Sequence, residues 1–110
     1  MGKGSLGEFE LMVLLAALRL GEDDAYSLAI ADDIRERTGR TVRRSAVQMT
    51  LKRLESKGFV TSWLGEPRAE RGGKARRQIR VEPAGAAAVH DSRTALERMW
   101  GGLDTGLEGV

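Results

Sequence analysis

Apolar residues recur at helical spacing from near the start of the chain. Leu6, Phe9, Met12/Val13, Ala16 and Leu20 form one stripe, and Leu11, Leu14/Leu15 and Leu18 form a second. The pattern predicts a helix from about Gly7 to Leu20 that is apolar nearly all round and needs cover on two sides. Gly21 stops it. The acidic turn Glu22-Asp23-Asp24 offers an N-cap carboxylate to a second helix, whose apolar positions are Tyr26, Ile30 and Ile34. Thr38-Gly39 closes that helix, with Gly just past its end. In a third helix Ser45 is placed as the cap, and Gln48, three residues on, completes a capping-box spacing. Val47, Leu51 and Leu54 form its buried stripe, which leaves Arg44, Gln48, Met49, Lys52 and Arg53 exposed. Gly58 ends it.

From Phe59 the period changes to two. Val60, Ser62 and Leu64 alternate with Thr61, Trp63 and Gly65, and Ala75, Arg77, Ile79 and Val81 alternate with Arg76, Gln78 and Arg80. Between these strands, residues 67–74 read as a turn carrying Arg68, Arg71 and Lys74, so a β-hairpin with a charged tip is expected. Trp63 is expected to pack under it. Pro83-Ala84-Gly85 punctuates the exit. An Ala-rich helix with Val89, Leu96, Met99, Trp100 and Leu103 at helical spacing then runs to about Leu103, and residues 104–110 read as a frayed tail. The fold class expected is mainly α with a small β-hairpin. Residues 1–82 form the main unit and 83–103 a final helix.

At 110 residues, one small domain is the natural reading. The absence of cysteine excludes disulfides and thiolate metal sites. It fits a reducing cytoplasm, where the protein is placed. The apolar run Leu11–Leu18 is too short to span a bilayer and lacks a basic lead, so no membrane role is expected. One histidine, His90, with no carboxylate constellation around it, supplies neither a metal site nor nucleophilic or acid–base machinery. No cofactor, metal ion or enzymatic activity is expected.

The net charge of +2 conceals segregation. Fourteen Lys and Arg stand against four Asp and Glu between Arg35 and Arg80, a net +10, while the rest of the chain carries −8. A basic middle between acidic ends points to a polyanion partner; a merely solvated charge run is the plain alternative. Three helices, the third with a basic outer face, then a hairpin with a basic tip and a helix, are the order of a winged helix-turn-helix. In that fold the third helix lies in the DNA major groove and the hairpin tip touches the flanking backbone.

Several stretches resemble the PadR family of bacterial transcriptional regulators, in its short form with a single C-terminal helix. They are Leu6-Gly7-Glu8-Phe9-Glu10 leading into Val13-Leu14-Leu15-Ala16-Ala17-Leu18, then Asp24-Ala25-Tyr26, and Leu51 through Val60 (LKRLESKGFV). Gly72 through Arg77 (GGKARR) and Arg80 through Gly85 (RVEPAG) complete them, so the resemblance runs from about Leu6 to Leu103. It implies a homodimeric DNA-binding repressor, dimerised through its N- and C-terminal helices and responsive to small aromatic compounds. The family usually has Tyr where this chain has Gln48, and often Tyr at Gln78 or Ile79.

The expected partners are therefore double-stranded DNA, a second copy of the chain and a small aromatic ligand. Arg43, Arg44, Ser45, Gln48, Met49, Lys52 and Arg53 are the DNA-contact candidates of the third helix, joined from the hairpin by Arg68, Arg71, Lys74 and Arg76. The basic residues are expected mainly on phosphates. Gln48 either reads adenine bidentately or only closes the capping box. Leu6, Phe9, Val13, Val89, Leu96, Met99, Trp100 and Leu103 are the dimer candidates, because a monomer would leave these stripes exposed. Trp100 and Leu96 are also candidates for an effector platform. The other function considered is a winged-helix module that binds a protein and not DNA.

Overall fold

The computed structural model describes residues 6–66, 75–103, 105 and 106. Its elements run in the order α1 (Glu8–Leu20), α2 (Ser27–Thr38), α3 (Arg44–Ser56), β1 (Val60–Leu64), β2 (Arg77–Val81) and α4 (Pro83–Trp100). The six elements expected from periodicity are all present. The hairpin tip with Arg68, Arg71 and Lys74 lies outside the described residues, as does most of the 104–110 tail.

The first turn of α1 is set by Glu10, whose carboxylate accepts a hydrogen bond from the Gly7 N–H at 2.9 Å. Glu8 and Glu10 both stand at the positive end of that helix. At the end of α2, Gly39 adopts φ +74°, a left-handed conformation open to residues without a Cβ.

Two expected caps are not made. The acidic turn is closed by its own backbone, with the Asp24 and Ala25 N–H groups donating to the Gly21 carbonyl at 3.1 and 2.9 Å. As a result α2 starts after extended Tyr26 with no side-chain cap. At α3 the N-cap position falls on Arg43, so Ser45 and Gln48 lie inside the helix and form no capping box. The Pro83-Ala84-Gly85 segment is the first turn of α4 and not a break before it; Pro83 lacks only an N–H that a helix start leaves unpaired anyway. That helix stops at Trp100, which leaves Leu103 beyond its end.

The core joins Val13, Leu14, Ala16 and Ala17 of α1 to Ile30, Ala31 and Ile34 of α2 and to Val47, Leu51 and Leu54 of α3. Phe59, Val60, Ile79 and Ala88 close it from the hairpin and α4. Leu14, Ile30 and Leu54 are fully buried, each contributing roughly 1.5–3 kcal/mol of apolar burial. Val13 is 0% exposed within the chain, so it is a core residue and not a dimer contact. Leu6, Phe9 and Val89 are half-buried against the same core. The first stripe of α1 thus faces inward, while Leu15 and Leu18 of the second stripe are exposed.

The strands pair antiparallel, with Val60 opposite Val81, Ser62 opposite Ile79 and Leu64 opposite Arg77. Simple alternation breaks in β2, where both Gln78 and Ile79 are buried. The strand is covered on two sides: Ile79 enters the helical core while Gln78 lies against the turn before α2. Trp63 is half-buried, with the Arg80 guanidinium 5.6 Å from the centre of its ring.

The start of α4 presses closely on the hairpin. A Cβ built on buried Gly85 would lie 2.3 Å from the Phe59 carbonyl oxygen and 3.0 Å from Val81 Cγ1. Gly85→Ala must therefore push α4 away from the core. Its expected cost is about 1–3 kcal/mol, a drop in melting temperature of roughly 5 °C or more. Thermal unfolding followed by circular dichroism measures this, and an unchanged midpoint would show that α4 does not dock as described.

Candidate nucleic-acid interface

Ser45, Gln48, Met49 and Lys52 fall at the i, i+3, i+4, i+7 spacing that places them on one face of α3. All four are exposed, Met49 to 63%. With no capping box formed, the Gln48 amide is not engaged at the helix start. Beside this face a groove of about 370 Å³ separates α3 from the hairpin. Leu51 and Ile79 give it an apolar floor, and Ser45, Gln48, Lys52, Ser62 and Arg77 line its rim.

The segregated charges are largely paired with each other. Arg40 holds Glu8 through two hydrogen bonds of 3.1 and 3.0 Å, which keep the Glu8 carboxyl below the usual carboxylate range. Arg35 pairs with Asp32, Arg37 with Asp33 and Arg80 with Glu22 and Glu82. Lys57 and Arg53 both approach Glu10, at 3.1 and 3.8 Å. The acidic ends thus neutralise the flanks of the basic middle. Among the described residues, Arg43, Arg44 and Lys52 form no ion pair, and Arg44 is steadied only by donating from Nε to the Ser27 hydroxyl at 3.2 Å. Arg77 in the groove beside α3, Arg76 on the Tyr26 ring and Arg98 of α4 are likewise without ion pairs among the described residues, so four of these six uncompensated cations lie on or beside α3.

Glu10 links the start of α1 to the end of α3. Partial burial raises its pKa, but hydrogen bonds from the Gly7 N–H and the Lys57 ammonium outweigh this, and the net shift is downward. A lowered folded-state value means that this contribution to stability is present above the unfolded pKa of about 4.3 and lost as pH falls through the folded value. Glu10→Gln is expected to cost about 1.5 kcal/mol at pH 7 and much less at pH 3. Denaturant titrations at the two pH values measure the difference; an equal cost at both would show that the Glu10 charge contributes nothing.

The remaining sequence candidates divide. Arg53 is turned toward α1, donating to the buried Thr50 hydroxyl at 3.1 Å and approaching Glu10, so it flanks the α3 face instead of joining it. Arg76 lies with its guanidinium 3.8 Å from the centre of the Tyr26 ring and its Nε buried without a hydrogen-bond partner, which draws it away from α3. Arg77, Ser62 and Ser27 line the groove although sequence reasoning did not single them out. Strand alternation put Arg77 on the face of Ile79, which reads as the core face; at the end of the strand that face opens beside α3.

A second, mostly apolar groove of about 540 Å³ lies between α1 and α4, lined by Leu11, Leu15, Val89, His90, Leu96 and Trp100. An adjoining hollow shares Leu11 and Leu96 and adds Leu6. Leu96, Met99, Trp100 and Leu103 are all half-exposed or more within a single chain. Of the sequence's dimer candidates, these four and not Val13 present apolar surface, together with Leu15 and Leu18 of α1.

Three packed helices with an outward basic third helix, followed by an antiparallel hairpin, define a winged helix-turn-helix domain. Solved structures place it more narrowly. The fold matches a transcriptional regulator from Clostridium thermocellum with TM-score 0.67 at 22% identity, over 83% of this chain and 84% of that one. It matches a PadR family transcription regulator from Clostridium difficile with TM-score 0.68 at 20% identity, over 84% and 91% of the two chains. It also matches BpsR of Bordetella bronchiseptica, whose DNA binding is regulated by 6-hydroxynicotinic acid, with TM-score 0.61 at 15% identity over 96% and 74%. The chain has a PadR-like fold; at these identities the likeness is one of fold. No family model and no curated protein matches the sequence. Among the described residues no helix is long and apolar enough to cross a membrane, and no group of three or more His, Cys, Asp or Glu could hold a metal ion.

Proposed function

We propose that this protein is a homodimeric, sequence-specific DNA-binding transcriptional regulator without enzymatic activity, acting as a repressor and released by a small aromatic effector. The observation that carries the reading is the charge pairing. Acidic residues neutralise most described cations of the scaffold, yet Arg43, Arg44 and Lys52 on and beside α3 remain without ion pairs. Cations left unpaired on a helix that also presents Gln48 and Met49 suit phosphate contact alongside base reading in a major groove.

Dimerisation and effector binding are assigned to the apolar groove between α1 and α4. A second copy would cover Leu96, Met99 and Trp100, and two copies would present two α3 helices to half-sites about one helical turn apart. Trp100 supplies a flat surface for an aromatic ligand at the same place, and ligand-regulated DNA binding in BpsR supports this assignment. The repressor role is what the resemblance to the PadR family implies.

Selecting bound sequences from random duplexes tests the reading. An inverted repeat with half-sites about 10 base pairs apart is expected, and its retention should fall when flat aromatic carboxylates are added. Enrichment of no sequence would contradict the assignment and favour a protein-binding module.

A further inference from the structure

We propose that Arg77 is a phosphate-binding residue of the DNA interface and that Gln78 is the residue that positions it. The inference rests on the DNA-binding reading above and names a contact outside the third helix and the hairpin tip.

The two faces of β2 carry different jobs. On one face Arg77 and Ile79 point toward α3, with Arg77 beside Lys52, Ser45 and Gln48 in the groove. Arg77 is exposed and makes no ion pair among the described residues. It donates to the Ser62 hydroxyl at 3.2 Å, and that hydroxyl lies 3.3 Å from the Glu55 carboxylate of α3. The guanidinium is thereby held near the helix with donors still open to solvent, since one bond to Ser62 uses one of its five. Arg77 and Lys52 are the two cations that line this groove, with the Glu55 carboxylate engaged by the Ser62 hydroxyl beside them.

The other face fastens the strand. The Gln78 amide donates to the carbonyls of Glu22 and Asp23 at 2.8 and 3.0 Å. The neighbouring Ile79 N–H donates to the Ala25 carbonyl at 3.0 Å. Arg76 covers Tyr26 and Arg80 approaches Glu22 at 3.6 Å, so the same short turn receives every side chain on that face. Gly65 across the hairpin makes room for the amide: a Cβ there would lie 2.9 Å from Gln78 Cγ. Gln78 is the buried member of the set and the one with two bonds to the turn. It fixes the height of β2 relative to the helices, and with it the position of Arg77 beside α3.

Glu22 and Asp23 are exposed, so water can replace the amide at their carbonyls when Gln78 is removed. The main consequence is then a loosened strand and not an unfolded domain. Arg77→Ala and Gln78→Leu, singly and together, test the proposal in the full chain by titrating a selected duplex at several salt concentrations, with thermal melts alongside. Arg77→Ala is expected to weaken binding about tenfold and to flatten the salt dependence by about one phosphate per protomer. Gln78→Leu is expected to do nearly the same, and to add less than about twofold when Arg77 is already Ala. An Arg77→Ala chain that binds with unchanged affinity and slope overturns the phosphate role. Additive losses, an unaltered slope for Gln78→Leu, or a Gln78→Leu chain that does not fold would overturn the positioning role and mark Gln78 as structural. Failure of the unsubstituted chain to bind any duplex would remove the DNA-binding reading itself, and this one with it.

Discussion

Reversing two charges, Arg44→Glu with Lys52→Glu, is expected to lower affinity for the selected duplex by at least about a hundredfold while the dimer and the melting temperature stay nearly unchanged. Each residue is exposed and neither is held by an acid among the described residues, so their replacement breaks no ion pair of the fold. On DNA the loss is twofold in kind. Two phosphate contacts per protomer disappear, and two carboxylates are placed against the backbone, where like charges repel. The same reversal at Arg40 should have a different signature. Its guanidinium serves Glu8, so Arg40→Glu should disturb stability through a like-charge pair and leave DNA affinity much less affected. Electrophoretic mobility or anisotropy titration, read beside melting curves, separates the two. Equal losses of DNA affinity for the two substitutions would show that the basic middle acts as a diffuse field and that α3 is not its focus.

Leu96→Asp with Trp100→Asp is expected to convert the dimer to a monomer at micromolar concentration. Both side chains are half-exposed in the single chain, so the protomer's own helices should survive, with an unchanged far-ultraviolet spectrum. Burying them against a partner removes apolar area from water, and central aromatic contacts of this kind cost about 2–4 kcal/mol each when truncated. Two charges at such a place raise the dissociation constant by roughly a thousandfold or more. Sedimentation velocity reads the outcome. A substituted chain that remains dimeric would place the interface elsewhere, and an unsubstituted chain that is monomeric would remove it. The monomer should also bind DNA far more weakly, because one α3 helix alone reads one half-site.

Much of the fold is legible in the sequence, because helical and strand periods differ and the chain keeps to them. Phe59 marks the change from one to the other, and Gly21, Gly39 and Gly58 fall at the ends of the first three helices. The helix starts were less legible. Ser45 and Gln48 have a capping-box spacing, but the chain reaches α3 through extended Arg43, so the helix begins two residues earlier than a Ser45 cap allows. Likewise the acidic turn before α2 satisfies its own backbone at Gly21 and does not act as a cap.

The site was legible in part for a related reason. Periodicity shows that α1 has two apolar stripes but not how far the fold covers each: the first contains buried Val13, while in the second Leu14 is buried and Leu15 and Leu18 are exposed. Net charge shows that the middle of the chain is basic but not which cations meet an acid. Glu10 reaching Lys57 and Glu8 reaching Arg40 cross more than thirty residues of sequence, and such pairs are set by how the helices pack. Arg77 escaped notice because alternation assigned it to the buried face of a strand that ends beside α3.

The most direct test of the central claim is the salt dependence of binding to the selected duplex. Arg43, Arg44, Lys52 and Arg77, four cations per protomer without acidic partners, doubled in a dimer would neutralise about eight phosphates, and each contributes about −0.9 to the slope of log affinity against log salt. A slope near −7 is the expected result. A flat response would contradict the account, since a protein that neutralises phosphates must release counterions.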